Sequence, residues 1–213
     1  MLPELVDNQL SNEDVIAGLK QALTIGSDST VVQLNKLDGY YKNELIKVLL
    51  PEDVRKIQTV VEALPGGKGL LADLVVKMNR AAEDAATEAK PIFWDAITGI
   101  TIADGFSILR GDSVAATRYL SDRTYSPLNQ LYKPKIQNSL QKVGAQQVFT
   151  EITTLYNNLP TTFRPIETDL AQHVTDKALD GLFLTLGQKE RDIRRDPLKR
   201  VTDLLRRVFA QQD

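Results

Sequence analysis

The stretch from Gly69 to Ala89 constrains this chain more than any other. Leu71, Leu74, Val75, Met78, Ala82, Ala85 and Ala89 recur at i, i+3, i+4 and i+7 along it, the spacing of one face of an α-helix. Its second half reads AAEDAATEA. Alanine is the strongest helix former and lets neighbouring helices approach closely. The pattern predicts a central helix. Val76 falls on the opposite face, which predicts packing partners on both sides.

The punctuation elsewhere is also helical. Asn12 is placed to cap a first helix carrying Val15, Leu19 and Ala22, with Gly26 as its stop and a second short helix near Ser29 to Lys36. Pro51 opens a stripe of Val54, Ile57, Val61 and Leu64, which Pro65-Gly66-Gly67 breaks. Lys90-Pro91 ends the alanine-rich helix and opens the next. Thr101 and Asp104 have capping-box spacing, Gly111 closes that helix, and Asp112 is placed to cap another. Ser126-Pro127 predicts a new start, and Pro134 a kink or split. Pro160 stops the stripe of Val148, Ile152, Leu155 and Leu159. Residues 160–166 read as an irregular connection. Asp169 is placed to cap a short turn, Thr175 a longer helix, and Asp196-Pro197 a final helix with Leu198, Val201, Leu205 and Val208.

No segment shows an extended period-two alternation, no fixed-period repeat is present, and no long linker divides the chain. The fold class is therefore all-α: a single compact multi-helix domain over residues 12–210 around the central alanine-rich helix, after a tail at 1–11. At 213 residues such a domain buries roughly 70% of its unfolded surface and needs no metal or disulfide to hold its core.

Composition narrows the chemistry. Cysteine is absent, which removes thiolate nucleophiles, disulfides and cysteine-ligated metal sites. His173 is the single histidine, so two-histidine metal sites are excluded and no metal or cofactor is expected. No GxSxG elbow accompanies it, and a partly exposed helix histidine is the expected reading. The net charge is −2, which provides no global field for nucleic acid or an anionic membrane. No apolar run approaches transmembrane length. Charge is uneven: eight basic and four acidic residues lie between Lys189 and Arg207, read as a solvated helix face with a small anionic partner as the alternative. Gly66-Gly67-Lys68-Gly69 lacks the full phosphate-loop pattern and follows no strand.

Asn79, Arg80 and Glu83 stand out. Asn79 borders the apolar stripe, Glu83 lies one turn on, and Arg80 can pair with Glu83 or Asp84. On a central helix these groups are partly buried and need partners. Lys90, Asp95, Asp104 and Asp180 are the expected ones. Two readings follow: an interhelix network that fixes the packing, or a ligand site built from Asn79, Arg80, Glu83, Lys90, Asp95 and Asp180. Gly181, within a helical pattern, predicts a close approach to that backbone, with a neighbouring helix as the expected neighbour.

Five strings together resemble one bacterial family of helical proteins. They are LDGYYKN (Leu37 to Asn43), MNRAAEDAATEAKPIFWDAI (Met78 to Ile97), ILRGDSVAATRYL (Ile108 to Leu120), ALDGLF (Ala178 to Phe183) and TDLLRRVF (Thr202 to Phe209). The chain is similar over residues 12 to 210 to the domain of unknown function 4197 family. The resemblance implies an all-helical protein, commonly made with an N-terminal export signal in Gram-negative bacteria, and brings no catalytic residues. The expected location is the periplasm or cell envelope if a leader was removed, and the cytoplasm otherwise. The expected function is non-enzymatic: binding of a partner protein or a small ligand between the helices. An enzyme using carboxylates near residues 79–95 and a carrier of an apolar ligand are the alternatives.

Overall fold

A computed structural model describes residues 11–160, 165–196, 202 and 206. The elements run α1 (Asn12–Leu34), α2 (Glu52–Lys56), α3 (Gln58–Glu62), α4 (Gly67–Ala85), a 3-10 turn (Ala86–Glu88), α5 (Ala89–Thr98), α6 (Ile102–Arg110), α7 (Ala115–Lys142), α8 (Ala145–Asn157) and α9 (Leu170–Arg195). No strand occurs among the described residues. The expected tail up to Leu10, and the expected final helix from Leu198 apart from Thr202 and Arg206, lie outside them, as does part of the connection at 160–166.

α4 is the central helix that its sequence predicts. Leu74, Met78, Ala81, Ala82 and Ala85 are fully buried, and the helix packs against α3, α7, α8 and α9. Val76 is half-buried, in keeping with partners on both sides. Burying a side chain the size of Met78 contributes roughly 1.5–3 kcal/mol. α7 runs antiparallel to α4, since Lys77 reaches the Val143 carbonyl at one end and Tyr132 the Ala86 carbonyl at the other. α9 runs antiparallel to α7, with Lys133 on Asp169 at one end and Glu190 on Ala116 at the other. α1 is antiparallel to α5: Lys20 bonds the Thr98 carbonyl and Lys90 pairs with Asp28.

The helix before Pro91 tightens into the 3-10 turn at Ala86–Glu88. Proline has no N–H to offer the Thr87 carbonyl four residues back. The Tyr132 hydroxyl donates to the Ala86 carbonyl at 3.2 Å, giving this break an acceptor's partner.

Several boundaries differ from those expected. Ser11, not Asn12, caps α1, in a reciprocal box with Asp14. Gly26 does not stop α1; it is buried, facing Leu186 of α9. Ser27 and Thr30 turn their hydroxyls back to the carbonyls of Leu23 and Gly26, at 2.7 and 2.8 Å. Packing on α9 outweighs the penalty of about 1 kcal/mol for a helical glycine.

α7 also passes unbroken through Pro127 and Pro134. Both prolines are exposed and lie two helical turns apart on the outer face. The carbonyls that they leave without a helical donor can therefore meet solvent. The opposite face carries Ala116, Leu120, Leu128, Tyr132, Ile136 and Leu140, all buried. Asp169 caps the long α9 directly by accepting from Gln172 N at 2.9 Å. Thr175 lies inside that helix, bonded to the Ala171 carbonyl.

Candidate functional site

Between α1 and α2 the chain runs from Asn35 to Leu50 without regular helix. Such a segment must find partners for its backbone groups away from any ladder. α4 supplies them. The Asn79 amide, fully buried, receives Val48 N on its oxygen at 2.9 Å and donates to the Val48 carbonyl at 2.8 Å. One side chain thus reproduces the pairing that a neighbouring strand would offer. Burial alternates here: Ile46, Val48 and Leu50 are buried, while Leu45 and Leu49 face outward.

Glu83 is 4% exposed. Its Oε1 accepts from the backbone N–H of Tyr40 and of Tyr41, each at 3.2 Å, and its Oε2 from Arg80 at 2.7 Å. The other guanidinium nitrogen of Arg80 reaches Asp38 at 2.6 Å. Asp38 also pairs with Lys42 at 2.8 Å, and Lys42 and then Arg80 hold its carboxyl below the usual range. Asp38 sits at φ 68°, the left-handed region that, glycine apart, asparagine and aspartate enter most readily. The Tyr41 ring lies within cation–π range of two cations, Lys47 at 4.6 Å and Arg80 at 5.5 Å. Just past α1, Asn35 donates to the Glu83 carbonyl at 2.9 Å.

α9 completes the cluster. Tyr40, fully buried, donates its hydroxyl to the Ala178 carbonyl at 2.8 Å. A β-carbon at Gly181 would stand 2.8 Å from the Tyr40 ring and 3.0 Å from Ile46 Cβ. The close neighbour of Gly181 is thus the 35–50 loop, not the helix expected from the sequence. His173 is half-buried on α9 with Nε2 2.8 Å from the Leu49 carbonyl, and burial pushes its pKa below 6.5. Asp169 and Asp176, its neighbours in sequence, bond Lys133, Asn129 and Gln172 instead.

Asn79, Arg80 and Glu83 therefore act together, but not with the partners that sequence spacing suggests. Lys90 pairs with Asp28 at 3.6 Å. Asp104 closes the capping box with Thr101. Asp180 is exposed and pairs with Lys177 at 2.9 Å. Asp95 is exposed on the far part of α5. Helical geometry explains the mismatch: Lys90 and Asp95 lie beyond the 3-10 turn, and the acceptors and donors nearest to Glu83 belong to an irregular segment about 40 residues earlier.

A second buried cluster sits inside the charge run at 189–207, so that run is not wholly a solvated face. Glu190 and Arg194 have side chains 8% and 9% exposed, paired at 2.9 Å. Glu190 accepts from Ala116 N at 2.9 Å, and from Thr117 N and its hydroxyl at 2.7 and 2.8 Å. It thereby caps the N-terminus of α7 from another helix. Arg194 donates to the Ile108 carbonyl at 2.9 Å and the Leu109 carbonyl at 3.3 Å, at the C-terminus of α6. Each charge faces the helix pole of opposite sign. The adjoining cavity, lined by Leu19, Leu23 and Leu186 among others, is about 20 Å³, room for about one water.

At the Gly66–Gly69 turn, a β-carbon on Gly67 would fall 1.8 Å from the Val61 carbonyl oxygen, so close backbone approach accounts for that glycine. Among the described residues no three histidine, aspartate or glutamate side chains converge as a metal site needs, and no single helix is long and apolar enough to cross a membrane.

The strings that carry the family resemblance can now be placed. Leu37–Asn43, Met78–Ile97 and Ala178–Phe183 meet at one point, through Asp38 with Arg80, Tyr40 with Glu83, and Tyr40 with Ala178 and Gly181. Most of the string at 202–209 lies outside the described residues. No curated protein and no solved structure shows significant similarity to the chain. A family model described as a protein of unknown function (DUF4197) matches residues 9–210. The chain belongs to that family.

Proposed function

We infer that the protein is a non-enzymatic binding module, and that the loop at 35–50 is the surface it offers to a partner protein. One observation carries this reading. Asn79 and Glu83 of α4, with the Ala178 carbonyl and His173 of α9, hold an irregular loop in place, and that loop leaves Leu37, Leu45 and Leu49 at 74%, 70% and 52% exposure. Apolar side chains held outward on a rigid support are what protein recognition uses. The two buried carboxylates among the described residues, Glu83 and Glu190, are saturated by backbone N–H donors and cations, which favours a scaffold role over acid–base chemistry. The cavity of about 20 Å³ is far below the few hundred Å³ of a typical ligand pocket and speaks against a carrier that encloses an apolar ligand. An envelope location belongs to this proposal and rests on the family resemblance.

The test is site-specific photocrosslinking in the native host. A photoreactive residue at Leu45 is expected to give a discrete protein adduct, which Leu37→Ser and Leu49→Ser together abolish without changing thermal stability. The same residue at Glu151, on α8, should give none. An adduct from both positions, or from neither, would overturn the loop as the binding surface. Release with periplasmic markers on osmotic shock is expected; fractionation with cytosolic markers would overturn the location.

A further inference from the structure

α5 and α7 lie side by side and leave a groove of about 460 Å³ between them. The groove is open to solvent, and its volume is within the range of small-molecule sites. Ile92, Asp95, Ala96 and Gly99 form its α5 wall, and Arg123, Thr124 and Pro127 its α7 wall. The α5 residues follow i, i+3, i+4, i+7 and so share one helical face. Ala96 and Gly99 are small, which keeps the groove open, and Ile92, Ala96 and Pro127 give it apolar surface.

Its polar groups are of two kinds. The Asp95 carboxylate makes no hydrogen bond or ion pair among the described residues. Pro127 has no N–H to give the carbonyl of Arg123, four residues earlier in the same helix. Both acceptors, on facing walls, are exposed and free to take a ligand's donor in place of water. The Arg123 guanidinium is the donor. It stacks on Tyr119 at 4.6 Å and holds Asp104 only at 3.6 Å, with its side chain 55% exposed. Arg123 and Asp95 line the same groove without pairing with each other.

We propose that this groove binds a small zwitterion with an apolar body, a free α-amino acid with a hydrophobic side chain. Its ammonium group meets the Asp95 carboxylate and the Arg123 carbonyl, its carboxylate meets the Arg123 guanidinium, and its side chain lies along Ile92, Ala96 and Pro127. The site is separate from the 35–50 loop and does not depend on that loop binding a protein.

Titration of the isotope-labelled full chain with L-leucine and L-phenylalanine, followed by NMR, tests this. Shifts are expected at Ala96, Gly99, Arg123 and Thr124. Leucine amide, which lacks the carboxylate, and 4-methyl-2-oxopentanoate, which lacks the ammonium group, should bind at least about tenfold more weakly. Asp95→Asn, a surface change that leaves the fold intact, should weaken L-leucine by a similar factor, and Glu151→Gln should leave it unchanged. Absence of groove shifts at millimolar amino acid, or equal binding by leucine and its amide or by the wild type and Asp95→Asn, would overturn the proposal.

Discussion

Truncating Glu83 to alanine tests whether the network on α4 is structural. The change removes an acceptor from two backbone N–H groups and from Arg80. Tyr40 is fully buried, so its amide loses its partner without gaining water, at about 1–3 kcal/mol. Tyr41 is half-buried and recovers part of its loss from solvent. Removing one partner of a buried ion pair costs about 3–5 kcal/mol, but Arg80 keeps Asp38 and a side chain 26% exposed, which favours the lower end. The expected loss is therefore ~3–4 kcal/mol, or roughly 6–16 °C in Tm for a domain of this size. Glu83→Gln keeps a carbonyl for both N–H groups and loses the charge-assisted bond, so about 1.5–3 kcal/mol is expected. Urea denaturation measures both losses, and hydrogen exchange at the Tyr40 and Tyr41 amides locates them. None of the clefts described above reaches Glu83, so the network is expected to affect stability and not ligand binding. A loss below about 1 kcal/mol for Glu83→Ala, or unchanged exchange at both amides, would refute the reasoning.

Other consequences can be measured on the same footing. Gly181→Ala should destabilise by about 1–3 kcal/mol through overpacking against Tyr40 and Ile46, while Gly69→Ala, with open space at its β-carbon, should stabilise by about 0.4–1 kcal/mol; thermal denaturation giving the same sign for both would contradict the packing. Glu190→Ala should cost about 3–5 kcal/mol, and the α7 amides of Ala116 and Thr117 should exchange faster than those of mid-α7. His173 has a folded pKa below 6.5, so the folded state binds fewer protons than the unfolded state just below that pH, and stability contributed by the neutral ring is lost as pH falls through the folded pKa. Thermal melts from pH 7 to pH 5 should therefore fall less steeply in His173→Gln than in the wild type; equal slopes would show that the ring is not held neutral by burial.

Where helical periodicity was long, the fold could be read from the residues. Met78 and the alanines around it lie at the centre because an alanine face admits neighbours on several sides. The errors arise where tertiary packing overrides local preference. Gly26 fails to stop α1 because a glycine against Leu186 allows two helices to come close. Pro127 and Pro134 fail to break α7 because both sit on its solvent face, where the freed carbonyls can bond water while Leu128 and Tyr132 hold the other face in the core. Local rules price the lost hydrogen bond but not the side of the helix on which it is lost.

The candidate site divides along the same line. That Asn79, Arg80 and Glu83 need partners follows from their place on a buried helix. Who the partners are does not, because the donors include backbone N–H groups of Tyr40, Tyr41 and Val48, and every residue type but proline carries one. Glu190 and Arg194 left a trace that could have been followed. Leu170, Val174, Ala178, Leu182 and Leu186 are buried at intervals of four along α9, and Glu190 and Arg194 continue the interval. A charged pair at the end of a buried stripe, unlike the same pair in a general count of charges, predicts helix ends close by. Both poles are there: the N-terminus of α7 on Glu190 and the C-terminus of α6 on Arg194. The register of a charge against the apolar stripe therefore tells more about its role than the density of charges around it.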